Sequence, residues 1–352
     1  MSLKGYAIIL GAGASKGARV GTVSPPLDAE FFATAKHEFS KRGPNGSLHE
    51  RGSKAWKKFY NSIKQAGLRK DMLLEWRLEE ATTYLEARTK MNSLQTRQGQ
   101  PKKFRNLLED LKRAICYVLA KTNGDKKCSL HRKLFELTNP ESVITFNYDL
   151  IADSTLMQMG RLSWTRKEYS GYGGTKRFPM SVYAEHRRAN IRYVKPTRIG
   201  NAIHLLKLHG SMHWERNQKG GKHRLAVAAL PSDFGDFRFD VAPTRPLIVP
   251  PLAAKMEIRE TALKHLWVAA RKRLSDAPGW IIWGYSFPQT DTVAMVLFRT
   301  ALELNKRPKP VIVINPDKGA AERIRKYLRK VRVHHFASIE KFLLDHRVSL
   351  EP

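Results

Sequence analysis

Cysteine is nearly absent. The 352-residue chain carries only Cys116 and Cys128, too few and too far apart for a disulfide framework or a four-cysteine zinc site, so both are expected to be reduced thiols. Long apolar runs are missing too, none nearing the ~18 residues that cross a bilayer. The run Tyr6 to Leu10 is too short for a signal-peptide core. A soluble, globular, cytoplasmic protein is expected. Acidic residues are scarce beside basic ones, 32 against 63, giving a formal net charge of +31. Such a field attracts polyanions and speeds their encounter. Nucleic acid or an acidic partner is one reading of it, and plain solubility is the other. Neither an internal repeat nor a nucleic-acid module is recognisable.

What is present alternates. Short, unbroken runs rich in Ile, Val and Leu read as strands buried on both faces. They are YAIIL (6–10), SVITF (142–146), AIHLLKL (202–208), GWIIWGY (279–285), PVIVI (310–314) and VRVHHF (331–336). Helical stretches at 261–274, 293–304 and 318–331 separate the last of them. The pattern predicts an α/β domain, a doubly wound and mostly parallel six-stranded sheet with helices on both faces.

Residues 28–138 read as a helical subdomain inserted after the first βα turn. Leu74, Leu78, Ala81 and Leu85 form one amphipathic stripe, and Leu107, Leu108, Leu111, Ile115 and Val118 a second. The polar, Gly-rich stretch 41–54 predicts a loop. A second insertion, 155–201, is basic and aromatic. Residues 161–210 hold eleven Lys and Arg against two Glu, a local net of 11 − 2 = +9, interleaved with Trp164, Tyr169, Tyr172, Phe178, Tyr183 and Tyr193. That mixture suits single-stranded nucleic acid, with cations on phosphates and rings on bases; a small satellite core is the alternative. NQKGGKHR predicts a flexible basic loop.

The turn GAGAS follows the first strand. Gly11, Gly13 and Gly17 would let the backbone approach a phosphate at a helix start, yet the spacing is not the dinucleotide G-x-G-x-x-G. VSPPLDAEFF, with Asp28, stands where a second strand ending in an acid would come. By itself the motif leaves a nucleotide site and a small-residue turn equally open. The other strands run into Thr145-Phe146-Asn147-Tyr148-Asp149, Lys207-Leu208-His209-Gly210-Ser211, Gly284-Tyr285-Ser286-Phe287 and Asn315-Pro316-Asp317. Polar groups thus gather at the carboxyl ends of strands, where an open α/β sheet binds its ligands.

In this order the motifs resemble the Sir2-like (sirtuin) family, and specifically its zinc-free prokaryotic defence branch. GAGAS is similar to the family's opening motif, TFNYD to its Gln-Asn-Ile-Asp run and KLHGSMHW to its LHGS segment with the catalytic histidine. LIVPP with Lys255, GYSFPQTD and INPD complete the series, over about residues 5 to 340. The resemblance implies a single Rossmann-like sirtuin domain across 1–352. Protein-deacylating members carry two cysteine pairs after the histidine, which this chain lacks. That implies no metal and favours NAD cleavage over deacylation, with NAD consumed as substrate.

By the same resemblance Asn147 would hold ribose hydroxyls or the attacking water, Asp149 the nicotinamide carboxamide, and His209 would be the general base. Ala12, Gly13, Ala14 and Ser15, with Gly11 and Thr145 beside them, would meet the pyrophosphate. Gly284, Ser286 and Asn315 would meet the adenosine half, and Asp28 is counted with the cofactor-binding residues. The resemblance further implies an antiviral effector that depletes NAD. Its control would come from a homo-oligomer or a defence partner, such as a DNA-translocating ATPase or an Argonaute-like subunit. A non-hydrolytic subunit binding NAD, ADP-ribose or nucleic acid is the alternative, and a protein deacylase the third. His204, His213, His334 and His335 are expected to be structural, and Trp280 and Trp283 to pack against helices.

Overall fold

Strands form where the apolar runs are continuous. The computed structural model describes residues 2–18, 25–40, 47–95, 101–122, 128–164, 168–170, 180–183, 191–193, 195–196, 202–217, 224–227, 246–249, 261–289, 291–305, 308–328 and 331–348. Strands β1 (Ala7–Leu10) and β2 (Ser142–Thr145) are buried along their whole length. The short strands β3 (Ser163–Trp164), β4 (Glu168–Ser170), β5 (Met180–Tyr183), β6 (Ile191–Tyr193) and β7 (Lys195–Pro196) follow. After them come β8 (His204–Lys207), β9 (Gly210–Asn217), β10 (Arg224–Val227) and β11 (Pro246–Ile248). The C-terminal strands are β12 (Trp280–Trp283), β13 (Lys309–Ile314) and β14 (Val331–Phe336). Contrary to the expectation of a strand buried on both faces, β14 alternates half-buried and exposed residues, because it is the edge strand of its sheet.

Six of these make one sheet, ordered β14-β13-β12-β1-β2-β8, with every neighbouring pair parallel. The chain builds outward from β1 through β2 to β8, then returns to the far side of β1 as β12 and builds the other way. Strand order therefore reverses between β1 and β12. The carboxyl ends of that pair are the position where doubly wound sheets bind ligands. A second, mixed sheet runs β11-β9-β10-β5-β6, and β3, β4 and β7 form a third.

Helices α1 (Ala12–Gly17), α7 (Ser129–Thr138), α8 (Ile151–Gln158), α9 (Thr261–Asp276), α10 (Thr292–Glu303), α11 (Lys318–Tyr327) and α12 (Ile339–Val348) accompany the large sheet. On one face α9 packs on α10, and the Trp280 indole donates to Leu274 O at 2.9 Å while its ring meets Phe298. On the other, α7 packs against α8 and α12, and the His131 ring lies 4.4 Å from that of Trp283. Side chains three apart on a strand point to opposite faces, so each tryptophan seals one layer.

A second apolar cluster belongs to α2 (Phe31–Phe39), α3 (Leu48–Gln65), α4 (Lys70–Glu75), α5 (Leu78–Gln95) and α6 (Pro101–Thr122). Leu107, Leu108, Leu111, Ile115 and Val118 of α6 are all buried in it. Residues 48–54 are helical, contrary to the loop expected from their glycines. Ser47 accepts from the Glu50 amide at 3.1 Å, so an N-cap starts the helix there. Gly52 belongs inside it because the Phe39 ring fills the space a Cβ would need. The stripe from Leu74 to Leu85 is likewise two helices. Trp76 is extended, with ψ 160, and the second helix starts anew where Glu80 accepts from the Arg77 amide and Asp28 from the Glu79 amide. The helix beginning at Lys318 stops at Tyr327, since Val331 is the first residue of β14.

Two outcomes test this packing. Gly210 has φ +83, and a Cβ there would overlap the Leu247 carbonyl; Gly67 has φ +74 with nothing nearby. In urea titrations Gly67→Ala should cost ~1 kcal/mol, and Gly210→Ala clearly more. Burial holds the His131 imidazole far below its usual range, at about 3. The native state therefore excludes a proton that the unfolded chain takes up below ~6.5. Stability from this group is present above that value and is lost as pH falls toward about 3. Unfolding midpoints should accordingly fall less steeply between pH 7 and 4 in His131→Gln than in the wild type.

Candidate active site

Two loops interlock at the switch point. Gly11 donates its amide to Trp283 O at 3.0 Å, and Gly13 to Gly284 O at 2.9 Å. Gly284 is left-handed (φ +66), and a Cβ on it would overlap the Gly13–Ala14 peptide; a Cβ on Gly13 would lie 2.9 Å from Gly284 Cα. The glycines of GAGAS thus let one backbone sit on another. Ala14 donates to Gly11 O at 2.9 Å, so the Gly13 and Ala14 amides both have partners, one in the facing loop and one within the turn. Ala12 is exposed at the first position of α1.

From this turn a chain of hydrogen bonds runs to the end of β2. Asn147 Nδ2 donates to Gly11 O and to Ser15 Oγ, each at 2.8 Å, and Ser15 Oγ donates to Asp149 Oδ2 at 2.6 Å. With Nδ2 held on both sides, the remaining polar atom of the Asn147 amide is the acceptor Oδ1. Thr145 supports the arrangement, its Oγ1 accepting from the Asn147 amide at 3.0 Å. Asp149 Oδ1 accepts from the Ile151 amide at 3.0 Å and opens α8. The N-cap of α8 is Leu150, and Asp149 meets the first helical amide from one residue before it.

Burial raises the Asp149 carboxyl above the usual range, while Lys207, Ser15 and the Ile151 amide act the other way. Lys207 itself is buried, donating to Asp149 O and pairing with Asp153 at 2.6 Å. A buried ion pair with this many hydrogen bonds fixes a position more than it adds stability. Here it fixes the backbone between Asn147 and α8.

His209 lies in the turn between β8 and β9. That turn is tied on both sides: Val249 donates to His209 O at 2.8 Å, and the Trp267 indole to Leu208 O at 3.1 Å. Its ring packs on Phe146 (5.0 Å), Trp267 (6.2 Å) and Tyr148 (6.3 Å). Phe146 and Tyr148 flank Asn147 in sequence, so the histidine sits against the segment that carries the asparagine. His209 Nε2 lies 3.7 Å from Asp291 Oδ2, with both side chains about 5% exposed. The same Oδ2 accepts from the Tyr285 hydroxyl at 2.9 Å, and Oδ1 caps α10 through the Ala294 amide at 3.2 Å. Burial, then the neighbouring Asp291 carboxylate, holds the Tyr285 phenol well above its ordinary value. It stays a donor.

Asp291 and Tyr285 were not anticipated as site residues, although Asp291, the last residue of GYSFPQTD, stands immediately before an apolar helical stretch, which is an N-cap signal. Phe287 has φ 54, uncommon for an aromatic residue, and is fully buried against Tyr285, Phe298 and Tyr327. With Gly284 it brackets Tyr285 and Ser286, aiming the tyrosine inward and leaving Ser286 exposed.

The other anticipated residues are more dispersed. Ser286 O accepts from Arg323 Nε at 2.9 Å, and Arg323 also pairs with Asp317 at 2.8 Å, which links the loops after β12 and β13. Asn315 is buried at the end of β13, its Oδ1 accepting from the Asp317 amide at 3.0 Å. Asp28 is half-buried and accepts from the Glu79 amide at 2.8 Å, so it joins the helical region to the turn before α2. Lys255, Tyr172, Phe178 and most of the NQKGGKHR loop lie outside the described residues. Trp164, Tyr169, Tyr183 and Tyr193 fall on the short strands β3 to β6. Among the described residues no group of His, Cys, Asp and Glu could hold a metal ion, and no helix is long and apolar enough to cross a membrane.

No protein-family model matches the chain, and no curated protein does. Solved structures do match. One is described as a mutant Sir2 homologue in complex with 2'-O-acetyl ADP-ribose: 14% identical, TM-score 0.44, covering 99% of this chain and 94% of that one. Another comes from work on the mechanism and regulation of Sir2 enzymes: 13% identical, TM-score 0.36, with the same coverage. Neither superposition is close enough to carry a site or an activity across.

Proposed function

We propose that the chain is an NAD+ glycohydrolase that cleaves the bond between nicotinamide and ribose. The observation that supports this reading best is the convergence at the carboxyl ends of the strands of a fixed asparagine acceptor and a buried histidine–carboxylate pair. Cleavage sends the electrons of the glycosidic bond to the nicotinamide nitrogen and leaves an oxocarbenium-like C1′. Water then adds to C1′, and its proton must leave. Asn147 Oδ1 would orient the ribose hydroxyls or that water, and His209 would take the proton. Ser15, which donates to Asp149 and accepts from Asn147, would keep the Asn147 amide in a single orientation. Asp149, whose two oxygens already accept from Ser15 and the Ile151 amide, would hold the carboxamide through a remaining lone pair.

On the phosphate side the reading narrows to the exposed Ala12 and its neighbours, because the Gly13 and Ala14 amides already have partners. Gly284, Ser286 and Asn315 would line the adenosine half, with Arg323 beside them as a cation for a phosphate. The resemblance of motifs extends the proposal to NAD depletion in antiviral defence, held in check until the chain assembles with itself or a partner. The charge of +31 suits recruitment to a nucleic-acid-bound complex.

Nicotinamide release from NAD is the direct measurement, on the purified chain alone and with its genomic neighbours or nucleic acid added. His209→Ala should lower kcat by about 10²–10⁴-fold, the range for loss of a positioned acid–base group, and Asn147→Ala by about 10²–10³-fold, the range for loss of a fixed positioning contact. Equal rates in wild type and both variants under every condition would sink the hydrolase reading. ADP-ribose binding by calorimetry should survive His209→Ala, since that residue acts on the proton and not on the phosphates. Lost binding would move His209 from chemistry to recognition.

A further inference from the structure

We propose that Asp291 is the positioning residue for His209: its carboxylate fixes the imidazole and stabilises the imidazolium formed when the histidine takes a proton. Three observations carry it. Asp291 Oδ2 faces His209 Nε2 at 3.7 Å, an ion-pair distance that needs only a small approach to become a hydrogen bond. The carboxylate cannot turn away, because Tyr285 holds Oδ2 and the first turn of α10 holds Oδ1. The positive end of α10 favours its negative charge. Tyr285 is fixed in turn, stacked on Phe146 at 4.5 Å and 20°, and Phe146 is itself against His209.

The arrangement is a relay in which a phenol orients a carboxylate and the carboxylate orients an imidazole. A charge buried to this degree is costly unless it has partners. The two donors on Asp291 supply part of that, and a protonated His209 would supply the rest. The proton moves from the reacting water or ribose hydroxyl to a ring nitrogen of His209, and Asp291 stays ionised throughout. The titratable groups about His209 include Asp291 and Tyr148, with Tyr285 on the far side of Asp291 and Glu79 of α5 bearing on Tyr285. Tyr148 is engaged by donating to Val249 O at 2.7 Å.

The coupling of Asp291 to His209 can be measured without turnover, whereas its catalytic meaning rests on the hydrolase reading. Histidine-labelled full-length protein is titrated by NMR, with the His209 signal assigned by its loss in His209→Ala. Asp291→Asn keeps an N-cap residue at α10 and removes the charge. His209 should then titrate about one unit lower or more. The acidic limb of kcat/KM for NAD should move to lower pH by the same amount, with kcat reduced and KM little changed. An unchanged His209 titration would overturn the proposal.

Tyr285→Phe retains the stacked ring and the carboxylate, so His209 should titrate at or above its wild-type value. A fall there matching that of Asp291→Asn would mean that both substitutions merely loosen the loop, and would also overturn it. Should the wild type release no nicotinamide, the hydrolase reading fails by itself, and the titration still decides whether Asp291 governs His209.

Discussion

Everything at the candidate site depends on two backbones touching. Strands β1 and β12 are parallel neighbours, and the turn after one must pass directly over the turn after the other. That is possible because Gly11, Gly13 and Gly284 carry no Cβ, and because Gly284 adopts a left-handed conformation that costs glycine little. The Gly13–Gly284 hydrogen bond fixes the two loops relative to each other. From one loop hang Ser15 and the anchor for Asn147; from the other hang Tyr285 and, seven residues after Gly284, Asp291. A side chain on any of the three glycines would part the two halves of the site.

The second constraint is electrostatic. Asp149, Asp153, Lys207, His209 and Asp291 are all buried near the carboxyl ends of β2, β8 and β12, in a region where an unpaired charge is costly. They are arranged so that each ionised group meets a donor or an opposite charge. Lys207 faces Asp153, Ser15 and the Ile151 amide face Asp149, and Tyr285 and the Ala294 amide face Asp291. Groups so satisfied keep fixed orientations, which a cleavage reaction needs more than it needs flexibility.

Five of the six parallel strands were legible because each is an apolar run buried along most of its length. By contrast, β14 was legible only as a strand: Arg, His and exposed positions alternate along it because it lies at the edge of the sheet. The stretch at 48–54 was not, since glycine count outweighed the Ser47-x-x-Glu50 cap signal, and Gly52 makes sense only once Phe39 is seen against it. The break at Trp76 was invisible to periodicity, because Leu74 and Leu78 keep helical spacing across two separate helices. In the site, Asn147, Asp149 and His209 stood out as polar residues at strand ends. Asp291 and Tyr285 did not, because one reads locally as a cap and the other as a core aromatic. Their pairing with His209 joins residues some eighty positions apart, which no local pattern contains.

The spacing of GAGAS illustrates the same point from the other side. As a phosphate motif it has a glycine in the wrong place, and its Gly13 and Ala14 amides already have acceptors within the protein. As a loop-packing motif nothing is out of place. Gly11 and Gly13 lie where Tyr285 and Gly284 press against them, and Gly17 sits beside the Trp283 ring. The first duty of the glycines is to dock β1's turn on β12's, and this brings Ser15 and the Gly11 carbonyl within reach of Asn147. A sequence under that constraint need not keep the dinucleotide spacing, because the group it must position first is a side chain of its own.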